Sequence, residues 1–397
     1  MFPSIYVELT SVCNMACDFC GNRFMNRGKK HMEFDMFTNI IDQIVENNLT
    51  KDIKLAAIGE SLLYPKLFEA IRYCKERKLV TSIITNSLTL TTDLYQKLAD
   101  VSGLREVQIS LHDLTPESFV YRHAIPGISY SSFLENILRI IDYHVGHKIK
   151  HSLVINLLFS KDEWISSELW DLEAIKENTR NVTALLRPFI GEMNRIAGKN
   201  NIKCHLNQRA VNRAIRALNI YRNRLLKVMD NVYLSVIALN PQLYNTRKKL
   251  SGPLGNRIKL VKKKRSASCS NLGVPIIQSN GNFIPCCADV LEELVMGRVD
   301  SKTPLLSIIK GEKYQDLING FKDNNIIHPI CQECKGVFEY KDRFLQVRHL
   351  IRTIDPYGGI LSLTYASKKL LKRVWWNKLS SRDKYFLKAL LTKLRVY

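Results

Sequence analysis

Short β-like runs alternate with amphipathic helical windows through the first half of this 397-residue chain, and no other feature narrows its fold as much. The candidate strands are Ile5–Leu9, Ile53–Ile58, Val80–Thr85, Glu106–His112, Ser152–Leu158 and Val182–Pro188. Between the early ones, Phe34–Glu46, Pro65–Arg77, Asp93–Asp100 and Ser132–Tyr143 place apolar residues at steps of three and four, the period of one helix face. Strand–helix units of this length imply parallel strands joined by right-handed crossovers. Such a chain, 46% hydrophobic, can bury a large core spread over two or three units.

Three cysteines fall within eight residues, Cys13-Asn-Met-Ala-Cys17-Asp-Phe-Cys20, directly after the first candidate strand. Three thiolates on one tight loop can bind three corners of a [4Fe–4S] cube, since soft sulfur ligands suit iron–sulfur chemistry. The next cysteine, Cys74, lies in a helical window, so the loop leaves one iron open to an outside ligand. Structural zinc wants four protein ligands, and no histidine sits close to these three. Ten cysteines, eight of them in two groupings, point to metal ligands in a reducing compartment rather than to a disulfide framework.

This spacing, with Phe19 just before the last cysteine, resembles the radical S-adenosylmethionine (SAM) superfamily. The resemblance implies a partial (β/α)6 TIM-like barrel in which SAM chelates the open iron. It further implies that an electron from the cluster cleaves SAM to a 5′-deoxyadenosyl radical, which takes a hydrogen atom from a substrate C–H bond. In barrels of this kind function collects at the C-terminal ends of the strands, and four short motifs sit there: the cysteine loop, Gly59-Glu60, Thr85-Asn86 and Ser110. By the resemblance, Glu60 stands where the family's Gly-Gly-Glu motif receives the SAM amino group. The first glycine of that motif is Ile58 here, and the proline that commonly follows is Ser61. Asn86 and Ser110 look like contacts to the cofactor's carboxylate or ribose, and Arg122 like an aid to the carboxylate.

A second grouping follows a basic stretch: Cys269, Cys286, Cys287, Cys331 and Cys334. Gly281 places a turn five residues before Cys286, consistent with a short hairpin presenting a thiolate. On spacing alone these cysteines suit a structural zinc ribbon as well as a cluster. The set resembles the shortened auxiliary-cluster domain of radical SAM enzymes, the SPASM/twitch type. That implies one auxiliary [4Fe–4S] cluster on Cys269, Cys286, Cys331 and Cys334, with Cys287 a substitute for Cys286. The reading divides the chain into a barrel (1–190), a helical insert and basic linker (191–265), an auxiliary-cluster domain (266–340) and a basic amphipathic tail (341–397). In the insert, Val211, Ile215, Leu218, Leu225 and Val228 trace one helix face opposite an arginine-rich one, and Val232–Leu239 is a further strand candidate.

A fully ligated auxiliary cluster implies a place for an electron left on a substrate radical, which favours oxidative, dehydrogenation-type chemistry. Redox-neutral epimerisation is the competitor and needs a thiol to return a hydrogen atom; Cys204 and Cys287 are the candidates. Only 12 residues precede Cys13, which argues against a leader-binding domain and for a sugar-like or other small substrate over a ribosomally made peptide. An external donor such as flavodoxin or ferredoxin is the implied electron source. The formal charge is +22, and the tail from Leu361 carries ten Lys or Arg against a single acid, Asp383. That tail suits packing, or an anionic membrane or phosphate surface. With no signal segment and no apolar run of about 18 residues, the expected location is the cytoplasm. A zinc-bearing, RNA-binding protein with structural cysteines is the rival from another class.

Overall fold

The computed structural model describes residues 1–340 except 18–19, 26, 113, 117–118, 120–126, 160–181, 217–223, 239–257, 261–268, 287–288, 290–291, 301, 324 and 335–337. Phe19, Arg122, Cys287, most of the basic linker and the whole tail therefore lie outside the described residues.

The expected alternation is present. β1 (Ile5–Val7), α1 (Phe34–Glu46), β2 (Asp52–Leu55), α2 (Leu67–Glu76), β3 (Val80–Thr85), α3 (Thr92–Asp100), β4 (Leu104–His112), α4 (Tyr130–Gly146) and β5 (Ser152–Phe159) follow one another. In α1, Phe37, Ile40, Ile41 and Ile44 form the stripe that packs on the sheet, all fully buried. Side-chain caps start two of the helices: Thr91 Oγ1 accepts from Leu94 N–H at 3.2 Å, and Ser129 Oγ from Ser132 N–H at 3.1 Å.

Beyond β5 the expectation fails in two places. Residues expected as the sixth strand, Val182–Pro188, begin α5 (Val182–Lys199), because Leu186, Phe189, Met193 and Ile196 recur at helical steps and bury together. The arginine-rich helix is shorter than expected: α6 spans Gln208–Arg216, and Leu225 and Val228 belong to strand β6 (Arg224–Met229). There Leu225 is exposed while Val228 is buried against β7 (Val232–Ala238), so pairing overrides the helical spacing. β7 is the sixth parallel strand.

After a short strand β8 (Ile258–Leu260) come β9 (Ile276–Ile277), β10 (Asn282–Ile284), β11 (Gly297–Arg298), α7 (Leu305–Lys310), α8 (Glu312–Lys322) and α9 (Pro329–Cys334). One ten-stranded sheet runs β11-β10-β9-β1-β2-β3-β4-β5-β7-β6. Strands β1 to β5 and β7 are parallel, and the sheet is open at both edges, making a partial (β/α)6 barrel. β9 adds to β1 in parallel, with Tyr6 opposite Ile276, and β10 and β11 continue antiparallel. The expected hairpin before Cys286 is β9–β10, and Gly281 turns it at φ +88°. No described helix is long and apolar enough to cross a membrane.

Candidate functional site

The cysteine loop leaves the C-terminal end of β1 and is tied off at its base. Ser11 N–H donates to the Lys30 carbonyl and Lys30 N–H to Ser11 Oγ, each at 2.9 Å. Asn22 Nδ2 donates to the Ser11 carbonyl at 2.9 Å from inside the loop. The Gly59-Glu60 turn lies directly against this base: a Cβ on Gly59 would sit 2.0 Å from the Thr10 carbonyl oxygen. Only glycine permits that approach, and it lets Glu60 N–H reach the Val12 carbonyl at 2.8 Å.

Glu60 is buried and uses both carboxylate oxygens. Oε1 accepts from Leu62 N–H at 3.0 Å and Oε2 from Asn86 N–H at 2.6 Å, so the ends of β2 and β3 are bridged by one side chain. Asn86 in turn donates from Nδ2 to Asn14 Oδ1 at 2.7 Å and lies 3.7 Å from Cys13 Sγ. Next to it Ser87 holds φ +59°, a left-handed conformation costly for a residue with a Cβ and typical of a strained functional turn. Ser110 stands half-buried on β4 beside that turn. A register shift between Ser110 and His112, with His112 at φ +58°, kinks the same strand end. Cys13, Gly59, Glu60 and Asn86 thus form one connected group, with Ser110 on the adjacent strand.

Cys13, Cys17 and Cys20 are half-buried thiols outside any disulfide. Burial pushes the Cys13 thiol up, opposed by the Met15 N–H and reinforced by the Glu60 charge, while the Asn86 amide pulls it down. Cys20 Sγ accepts from Asn22 N–H at 3.4 Å. Amide donors aimed at two of the three sulfurs are what ligated thiolates require. Asn14 Nδ2 is buried in the loop without a protein partner. This donor set fits an iron–sulfur cube with three cysteine ligands, although among the described residues no three candidate ligands already converge on one point.

Two residues that sequence reasoning passed over brace the site. Glu8, at the end of β1, is 1% exposed and receives Arg27 Nη2 on both oxygens at 2.8 and 2.9 Å. Its Oε1 also accepts Ser279 N–H (3.1 Å) and Oγ–H (2.9 Å), and Oε2 accepts Ile58 N–H at 3.4 Å. Arg27 Nη1 reaches Glu292 Oε1 at 3.2 Å. One carboxylate therefore joins the cysteine-loop segment, the turn before Gly59 and the β9–β10 turn. An acid inside an otherwise apolar strand was the available signal, because Glu is almost never buried unpaired.

Of the second grouping, Cys269, Cys286 and Cys331 are half-buried thiols outside any disulfide; Cys269 precedes a short turn, Cys286 follows β10 and Cys331 lies on α9. Cys334 ends α9. Cys204 packs against the apolar core beside Val228, since His205 N–H donates to the Val228 carbonyl at 2.8 Å. Val228 adjoins the start of β7, so Cys204 lies near the N-terminal end of that strand, whereas the cysteine loop follows the C-terminal end of β1. Cys74 is fully buried in α2 with its thiol pushed up to about 12 by burial, an inert packing residue.

Residues 7–164 match the family described as the radical SAM superfamily, and residues 269–335 match an iron–sulfur cluster-binding domain, SPASM. The chain carries a radical SAM domain and, after it, a SPASM domain. Its resident cofactors are accordingly a [4Fe–4S] cluster with SAM and an auxiliary iron–sulfur cluster. Curated relatives include a tungsten-containing aldehyde ferredoxin oxidoreductase cofactor-modifying protein of Pyrococcus furiosus, 27% identical over 164 residues, 40% of this chain and 44% of that one. A PqqA peptide cyclase of Ruegeria pomeroyi is 30% identical over 29% of this chain and 30% of its own. A SAM-dependent nucleotide dehydratase of Lacinutrix mariniflava is 28% identical over 41% of this chain and 35% of its own. The matches span less than half the length of these three relatives. Among solved structures, BtrN with AdoMet and 2-DOIA aligns at TM-score 0.44 and 16% identity, covering 82% of this chain and 88% of that one. SuiB of Streptococcus suis bound to the precursor peptide SuiA aligns at 0.45 and 15%, covering 80% and 66%.

Proposed function

We propose that this radical SAM enzyme performs an oxidative, dehydrogenation-type modification of a hydroxyl-bearing small metabolite. Cys13, Cys17 and Cys20 are assigned to the first cluster, and Cys269, Cys286, Cys331 and Cys334 to the auxiliary one. The observation that carries the reading is the connected group of Cys13, Gly59, Glu60 and Asn86 at the strand ends, on the same sheet that β9 and β10 extend toward Cys286. When bound, the clusters supply and accept single electrons. In Glu60 the protein offers a buried carboxylate at the site, suited to an ammonium group. Asn86 offers an amide and Ser110 a hydroxyl for the other polar groups of SAM.

The overall reaction balances without a further oxidant. A carbinol would lose its C–H hydrogen to the 5′-deoxyadenosyl fragment and its O–H proton to solvent. The auxiliary cluster, which Cys269, Cys286, Cys331 and Cys334 would hold, would accept the remaining electron, and the products would be a carbonyl compound, 5′-deoxyadenosine and methionine. A reductant such as flavodoxin or ferredoxin supplies the first electron. Likeness to a PqqA peptide cyclase supports a second reading, modification of a peptide.

Anaerobically reconstituted enzyme with dithionite and SAM is expected to form 5′-deoxyadenosine and to hold about eight irons per chain, as two cubes require. Substrate that loses two hydrogens supports dehydrogenation. Solvent deuterium in the product overturns it in favour of epimerisation, and colourless, zinc-loaded protein overturns the cluster assignment itself.

A further inference from the structure

β4 alternates between its two faces, while β5 carries apolar residues on both. Val107, Ile109 and Leu111 on β4, and Leu153, Ile155 and Leu157 on β5, bury into the helix-packed core. The residues between them, which form the other face, include Glu106, Gln108, Ser110 and Asn156. A parallel sheet covered on both faces by apolar packing reads as a continuous hydrophobic run. Here Glu106, Gln108, Ser110 and Asn156 make the second face of β4 and β5 partly polar, beside the buried Val154 and Leu158.

A directional relay crosses that face. Gln108 Nε2 donates to Glu106 Oε1 at 2.6 Å, and Asn156 Nδ2 donates to Gln108 Oε1 at 3.2 Å. A carboxylate only accepts, so Glu106 dictates which way the Gln108 amide lies, and Gln108 then dictates the Asn156 amide. The chain of donors ends on Asn156 Oδ1, which is buried with no protein partner on a residue 3% exposed. Asn156 stands in one row with Ser110 and Ser235 across β4, β5 and β7, close to the strand end that carries the candidate SAM contacts. Buried carbonyl oxygens are nearly always paired, and an exception in such a place calls for a ligand.

Resting on the dehydrogenation reading above, we propose that Asn156 Oδ1 is a substrate-binding acceptor. It takes a hydrogen bond from a hydroxyl or amino group of a small polyhydroxylated molecule of sugar or cyclitol type. An oxygen this enclosed admits one slim donor. A carbonyl backed by the Glu106 carboxylate repels a phosphate or carboxylate at the same position, so the group bound here is neutral or cationic despite the chain's excess of positive charge.

The test uses anaerobically reconstituted holoenzyme with SAM, and saturation-transfer NMR with glucosamine and myo-inositol, glycerol 3-phosphate serving as the anionic comparison. Either polyol should bind the native enzyme and bind Asn156→Leu at least tenfold more weakly. The leucine has nearly the shape of the amide; it removes an unpaired acceptor but also the donor to Gln108 Oε1, so the variant should melt within about two degrees of the native protein. Failure of both polyols to bind, equal binding to the variant, or preferential binding of the phosphate overturns the proposal. So does a melting temperature lowered by several degrees, because it would make Asn156 a structural residue. Formation of 5′-deoxyadenosine by the native enzyme without any polyol reports separately on the SAM reading.

Discussion

Replacing Gly59 by alanine tests how closely the Gly-Glu turn and the cysteine loop depend on each other. The added methyl would lie 2.0 Å from the Thr10 carbonyl oxygen, 2.7 Å from its carbon and 2.9 Å from Ser11 Cα, all backbone atoms that cannot rotate away. Reaching ordinary contact moves the two segments apart by about 1.4 Å. The hydrogen bond from Glu60 N–H to the Val12 carbonyl, 2.8 Å in the native chain, cannot survive that shift. Overpacking strain of about 1–3 kcal/mol plus about 1 kcal/mol for the lost bond gives an expected loss of about 2–4 kcal/mol. The stiffer unfolded chain offsets a few tenths of that. Because Glu60 holds Asn86, and Asn86 faces Cys13, the displacement also reaches the first of the proposed ligands. Gly59→Ala should melt several degrees lower, lose the iron of the first cluster while keeping that of the second, and slow 5′-deoxyadenosine formation at least tenfold. Native melting with full iron content and native SAM cleavage would refute the reasoning.

Arg27→Met takes the guanidinium from the buried Glu8 and the half-buried Glu292, and should cost about 3–5 kcal/mol in urea denaturation; adding Glu8→Gln should recover part of it, and an unchanged midpoint would count against the network. A second effect concerns acid. Tyr95 Oη bonds His144 Nδ1 at 2.6 Å and His151 Nε2 at 3.0 Å, and burial depresses both histidines, His144 further because His151 adjoins it. The unfolded chain binds their protons near pH 6.5 and the folded one does not, so stability is full above that value and falls as the pH drops toward the folded values. Between about pH 7.5 and 5.5 the pair should forfeit about 2–3 kcal/mol, read by denaturant titration at each pH. A His151→Gln variant should flatten the slope by about half, and a native slope in that variant would remove the histidines as its cause. Cys331→Ala should lower the iron content from about eight to about four per chain with the three loop cysteines still loaded; loss of all iron would contradict two separate sites.

Much of the barrel was legible because its signals are local. Val80–Thr85 and Phe34–Glu46 carry their own period and their own ends, and the structure places both at the expected residues. Errors arose where a pattern admits two periods. Val182–Pro188 reads as a strand until Leu186 and Phe189 are seen to continue a helical stripe through Ile196. Leu225 and Val228 keep helical spacing only by coincidence, and β7 decides their state. The site was legible as far as chemistry marks it: thiols, a Gly-Glu pair, polar residues where strands stop. Glu8, Arg27 and Asn156 carry no such mark. Their roles follow from partners that only the fold brings within reach, as Ser279 does across 271 residues of chain.

That last distance has a consequence for how the molecule is made. β1 pairs on its outer side with β9, Tyr6 lying opposite Ile276, so a growing chain carries a raw parallel edge until that distant segment has been made. Pairings of such long range form slowly. The Glu8–Arg27 clamp at the base of the cysteine loop gains its Ser279 and Glu292 partners only once that later segment has arrived, so the final rigidity of the thiol loop depends on chain made long after it.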